Sequence, residues 1–117
     1  MKRVLIVTTV VECAAGSALL IDPSLAGQLV FGEALTGIAI SVARVAGIAL
    51  IALGIACWPG PPVVGMLTYN ALVALYLASL GLIGGSTGVL LWPAVVLHAI
   101  LTALLISDMT RRRRDAR

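Results

Sequence analysis

Long apolar stretches separated by short polar or proline-containing breaks run along nearly the whole chain. Crossing the hydrocarbon core of a bilayer, about 30 Å thick, takes roughly 20 apolar residues in an α-helix. Four stretches approach or exceed this length and predict helices over residues 4–21, 35–58, 63–83 and 89–107. The predicted fold class is all-α: a four-helix transmembrane bundle in a single membrane domain, residues 1–117.

The breaks carry residues that end helices. Pro23 ends the first helix, because proline disfavours helical backbone in the residue before it. The segment 59–62 holds three prolines and predicts a tight turn after the second helix. The glycine-rich segment 84–88 predicts the turn before the fourth helix.

The longest connection is the predicted outer loop, residues 22–34. Ser24 is a suitable N-cap for a short helix within it. Leu25, Leu29 and Val30 would lie on one side of that helix, as in a segment resting at the lipid interface.

Composition and charge agree with a membrane protein. Only 11% of the residues are charged, whereas soluble domains have about 25%. The net charge of +3 comes from the two ends, including a basic tail over residues 108–117. By the positive-inside rule both termini are cytoplasmic, which requires an even number of spans. We expect a multi-pass protein of the inner (plasma) membrane whose tail meets lipid headgroups and not nucleic acid.

Small residues recur at helical spacing in the second and third predicted helices. Such ridges let helix backbones approach closely, since lipid gives helices no hydrophobic reason to associate. The predicted packing ridges are Ala39, Ala43 and Gly47; Ala49, Ala52 and Ala56; and Ala74, Ala78 and Gly81.

Each predicted helix carries one strongly polar residue near its middle: Glu12, Arg44, Asn70 and His98. A charged side chain at a helix centre costs about 2.5–3.5 kcal/mol even on translocon-insertion scales, so these residues are expected to face a shared interior. Counting residues from the predicted helix ends places all four in one layer, with Glu12 and Arg44 as an ion pair.

Tyr76 and Thr102 complete the predicted polar pocket. Each candidate also has a purely structural interpretation. A Glu12–Arg44 pair can do no more than fix helix register, and an asparagine often only joins two helices. His98 can change its charge near neutral pH, but a histidine can equally donate to a neighbouring carbonyl.

No motif identifies a reaction. A single histidine excludes haem held by two histidines of one chain, and the two cysteines lack metal-site spacing. Phosphate-loop, dinucleotide and nucleophile-elbow motifs are absent from the sequence. We therefore expect no cofactor and no metal, and the sequence leans away from an enzyme.

Several segments resemble a group of small uncharacterised bacterial integral membrane proteins with four helices. They are residues 44–50, 54–58, 69–70 and 91–98. The second helix, in which Arg44 precedes Gly47 and a run of small residues, is similar to that of DoxX-like proteins. This resemblance implies the four-helix fold, and the DoxX-like similarity implies association with quinone-linked oxidation.

Two functional hypotheses follow. In the first, the polar pocket binds a small or amphipathic molecule or supports proton transfer. The expected partners are then membrane lipids and other copies of the same chain in a homo-oligomer. In the second, the protein is a non-catalytic accessory subunit of a larger, quinone-linked membrane complex, and the polar residues only hold helices together.

Overall fold

The computed structural model describes residues 2–83 and 88–117. All regular secondary structure within these ranges is α-helical, which confirms the predicted all-α class. The helices are α1 (Lys2–Ile21), α2 (Pro23–Phe31), α3 (Ile38–Cys57), α4 (Val63–Ile83) and α5 (Leu91–Asp115). Among them α1, α3, α4 and α5 are long and apolar enough to cross a membrane, as the sequence predicted.

The chain divides into two compact units, Met1–Tyr69 and Asn70–Arg117, with the division falling inside α4. The predicted turn at residues 84–88 lies outside the described residues except for Gly88. The prediction that the whole chain is a single membrane domain stays a prediction.

Two glycines hold α1 against α3 in the first unit. A Cβ atom added to Gly16 would lie 2.5 Å from the carbonyl oxygen of Gly47, and one added to Gly47 would lie 2.6 Å from that of Gly16. Only glycines allow this distance, so the two backbones touch where they cross. Further along, a Cβ on Gly54 would collide with Cys13 Sγ, which shows that the helices run antiparallel.

The start of α4 packs against a second small-residue ridge of α3, formed by Ala52 and Ala56. A Cβ on Gly65 would lie 2.6 Å from the carbonyl oxygen of Ala52 and 2.7 Å from Ala56 Cβ. The packing roles predicted for Gly47, Ala52 and Ala56 are thus confirmed. Helix α3 uses one small-residue ridge for each neighbour.

The turn between α3 and α4 follows from its prolines. Trp58 leaves α3 with φ −65° and ψ 142°, the extended conformation favoured in a residue before proline. The amides of Val64 and Gly65 then bond to the carbonyls of Pro61 and Pro62, at 3.2 and 3.0 Å, and begin α4.

Helix α2 confirms the short helix predicted between the first two spans, but the predicted cap is wrong. Asp22, not Ser24, is the N-cap: its carboxylate accepts from the amide of Leu25 at 3.0 Å. Pro23 then occupies the first helical position, where its missing N–H costs nothing. Gly32 ends the helix with φ 82°, a left-handed conformation suited to glycine.

Two other predicted boundaries are wrong. Helix α3 begins at Ile38 and not at residue 35, because Gly37 has φ 59° and cannot be part of a helix. Helix α5 continues to Asp115, eight residues beyond the predicted end at 107. Arginine is a good helix former, and the 2.8 Å ion pair between Arg112 and Asp108 joins successive turns.

The glycine crossing can be tested by adding one methyl group. We expect Gly16→Ala and Gly47→Ala each to lower the free energy of unfolding by about 1–3 kcal/mol, as overpacking does elsewhere. Unfolding in mixed detergent micelles measures this. Gly88→Ala is the control, since an added Cβ there meets nothing within 4 Å. Equal stability of all three variants would contradict the close crossing.

Candidate functional site

One interhelical side-chain hydrogen bond lies in the second unit. His98 Nδ1, on α5, is 2.8 Å from Asn70 Oδ1, on α4. Asn70 is 2% exposed and is the buried polar residue of the described chain, while His98 is half-buried. Two of the four predicted polar residues are therefore in direct contact within membrane-spanning helices.

The contact restricts the tautomer of the imidazole. An amide oxygen can only accept, so His98 Nδ1 is the donor to Asn70 Oδ1. In the neutral ring the lone pair then lies on Nε2, and in the protonated ring both nitrogens donate. The asparagine thereby orients the ring.

A second contact brings α5 close to α4. A Cβ on Gly81 would lie 2.6 Å from Cζ2 of Trp92, so the indole lies directly against the glycine backbone. Gly81 was predicted to help helix backbones approach one another. It instead makes room for an aromatic ring near the start of α5.

Thr102 and Tyr76 belong to the same unit. The Thr102 hydroxyl donates to the carbonyl of His98 at 2.7 Å, within its own helix. The Tyr76 hydroxyl is buried and has no hydrogen-bond partner in the part of the chain that the structure describes. Tyr76 lies six residues after Asn70, about 9 Å further along the helix axis.

Glu12 and Arg44 do not meet. In the antiparallel pair α1 and α3 they lie on opposite sides of the contact between Gly16 and Gly47, about 10 Å apart along the axis. The described residues contain one ion pair, between Arg112 and Asp108, so the expected Glu12–Arg44 pair is not formed. Depth counting misplaced Arg44 because α3 starts three residues later than predicted.

Thr9 makes a polar contact between α1 and α3 that sequence reasoning did not assign. Its hydroxyl lies 2.8 Å from the carbonyl oxygen of Gly54 and 3.0 Å from that of Leu5. The available signal was spacing, since Thr9, Cys13 and Gly16 follow one another at four and three residues and share a face of α1.

Glu12 instead borders a groove on the side of α1 turned away from α3. The groove has a volume of about 360 Å³. Arg3 and Glu12 lie at its two ends, and Val4, Val7 and Val11 are exposed between them. Glu12 itself is half-buried.

The described residues support hydrogen bonding at this contact. They contain no group of three or more His, Cys, Asp or Glu side chains close enough together to hold a metal ion. The Asn70–His98 pair is a polar contact between two apolar helices.

Comparison with known proteins identifies no relative: no family matches the chain, and no curated protein or solved structure is significantly similar to it.

The hydrogen bond can be measured by a double-mutant cycle. We expect Asn70→Ala and His98→Ala to be non-additive, with a coupling energy of about 0.6–1.7 kcal/mol, the range for hydrogen bonds between membrane helices. The free energy of unfolding of the two single variants and the double variant gives this value. Thr68→Val combined with His98→Ala is the control, because Thr68 donates to the carbonyl of Val64 in its own helix. Full additivity in the first cycle would show that the bond contributes nothing.

Proposed function

We propose that this membrane protein binds a small or amphipathic molecule within the bilayer, and that Asn70 and His98 recognise its polar group. The observation that carries the proposal is the bond between a 2% exposed asparagine and a histidine inside apolar spans. Polar residues in membrane-spanning helices are costly and commonly mark sites of binding or transport.

The pair combines donors and acceptors in one place. Asn70 orients the ring through its oxygen, and His98 contributes Nε2, which accepts when the ring is neutral and donates when it is protonated. A hydroxyl or carbonyl group would meet complementary chemistry there. The buried Tyr76 hydroxyl is a further donor in the same unit. Proton transfer through His98 is a second use of the same geometry.

The proposal predicts that molecules copurify with the protein and depend on the pair. After mild detergent extraction, solvent-extracted lipids and small molecules are identified by mass spectrometry. We expect at least one species to fall by about tenfold in Asn70→Leu and His98→Leu, since a tenfold change needs only 1.4 kcal/mol, within the cost of losing a hydrogen bond to a buried group.

Thr68→Val is the matched control, because its hydroxyl serves its own helix and the change is nearly isosteric. Circular dichroism confirms that each variant is folded. If both leucine variants fold and keep the same molecules as the unmodified protein, the binding proposal fails.

The groove on α1 favours a second candidate function, that of an accessory subunit. Glu12 takes part in no ion pair among the described residues, although it lies within a span. A helix of another protein that carries a hydrogen-bond donor would lower the cost of this carboxylate. A relationship of this chain to DoxX-like proteins would make a quinone-linked complex the candidate for the larger assembly. Purification as a homogeneous species composed only of this chain would weigh against it.

We further propose that the protein lies in the inner membrane with both termini in the cytoplasm. Arg3 at the start of α1 and the arginines at the end of α5 support this orientation by the positive-inside rule. The four candidate spans among the described residues are an even number, which would return the chain to the side on which it began.

Topology reporters test this orientation. We expect green fluorescent protein fused after Arg117 to fluoresce and alkaline phosphatase fused there to be inactive, because the tail stays in the cytoplasm. A phosphatase fusion after Gln28, in the outer loop, should be active and serves as the control. Active phosphatase at the C-terminus would reverse the assignment.

A further inference from the structure

The helical continuation of α5 distinguishes four arginines that the sequence presents as one cluster. Because α5 extends to Asp115, residues 111–114 lie on defined faces of a helix and not in a flexible tail. At 3.6 residues per turn, Arg111 and Arg114 share one face, whereas Arg112 and Arg113 lie toward the opposite one.

The face of Arg111 and Arg114 continues the exposed apolar stripe of the span. Leu97, Ile100 and Leu104 are exposed on α5. Ser107, Arg111 and Arg114 follow them at intervals of three and four residues. Arg112 and Arg113 lie instead on the side of His98 and Thr102. The two pairs thus lie on opposite faces of α5 beyond its apolar part.

Arg111 lies at the expected depth of the lipid headgroups, and the Arg114 side chain can reach back to them. Ile106 ends the apolar run of residues 103–106, and the two arginines follow it by about 7.5 and 12 Å along the axis. The headgroup layer beyond the hydrocarbon core is about 5–8 Å thick on each side. Side chains on a helix tilt toward its N-terminus, so both guanidinium groups are directed back toward this layer.

The surface there is open and basic. Ser107, Arg111 and Arg114 border a groove of about 630 Å³ with Thr110 and Asp115. Neither arginine forms an ion pair within the described chain, whereas Arg112 donates to Asp108 at 2.8 Å. The Thr110 hydroxyl donates to the carbonyl of Ile106 and contributes no donor to the groove.

We propose that Arg111 and Arg114, with Ser107, form a binding site for the phosphate of an anionic lipid headgroup. The planar guanidinium group matches a phosphate with two parallel hydrogen bonds, and the lipid tails would lie along Leu104 and Ile100. The site is independent of the function proposed for Asn70 and His98. It requires only that α5 spans the bilayer.

Lipid selectivity in phosphatidylcholine vesicles tests the site. The probe is the association constant of spin-labelled phosphatidylglycerol relative to spin-labelled phosphatidylcholine, measured by electron spin resonance on the full chain. We expect R111Q/R114Q to lower this ratio by about fivefold for each arginine removed, as estimated for a basic side chain at an anionic surface.

R112Q/R113Q is the matched control, since it removes the same charge from the same segment; we expect it to change the ratio less than twofold. An equal fall in both variants would show attraction by net charge alone and overturn the site, as would no fall in either. R111K/R114K keeps the charge without the planar fork, and we expect it to retain only part of the selectivity.

A final experiment distinguishes binding of a lipid phosphate from binding of free phosphate in solution. Inorganic phosphate is compared with chloride at equal ionic strength. We expect the two salts to lower selectivity equally, because both only screen charge. A specific loss with phosphate would assign the groove to a soluble anion and overturn the lipid proposal.

Discussion

Lipid offers no hydrogen bonds, and this constraint governs every polar group in the four apolar helices. Most hydroxyls in the described spans donate to a carbonyl of the preceding turn, as those of Thr8, Thr68 and Thr102 do. Asn70 also makes a hydrogen bond outside its own helix. Its oxygen bonds to His98 on another helix, and this contact gives the second unit its polar centre.

The same constraint explains how the helices pack. Lipid tails are as apolar as leucine, so helices gain from touching only where their surfaces fit closely. Gly16 and Gly47 provide such a fit between α1 and α3, and Gly65 provides it against Ala52. Glycine is costly within a soluble helix. In these spans it is the residue that brings the backbones together.

Charge follows a different rule at the helix ends. Asp22 caps α2 because its carboxylate accepts a hydrogen bond from the amide of Leu25, which has no partner within the first turn of the helix. At the other end of the chain, the continuation of α5 places the arginines on two faces of a helix. Arg112 pairs with Asp108 on one face, and Arg111 and Arg114 share the other. The number of arginines is a property of composition, whereas their separation into faces is a property of the helix.

The sequence by itself determined the class and the spans. Apolar length fixes how many segments can cross a bilayer, and proline and glycine mark their ends locally, so α4 was predicted residue for residue. It also identified Asn70 and His98 as candidates, since a polar residue in an apolar run is visible without a structure.

Only the tertiary structure decided which polar residues meet. Contact between helices depends on register, and a shift of a few residues moves a side chain by several ångströms. The crossing at Gly16 and Gly47 therefore kept Glu12 from Arg44, while the contact of α4 with α5 joined Asn70 to His98. No pattern along a single helix encodes that register, because it arises from the fit between two surfaces.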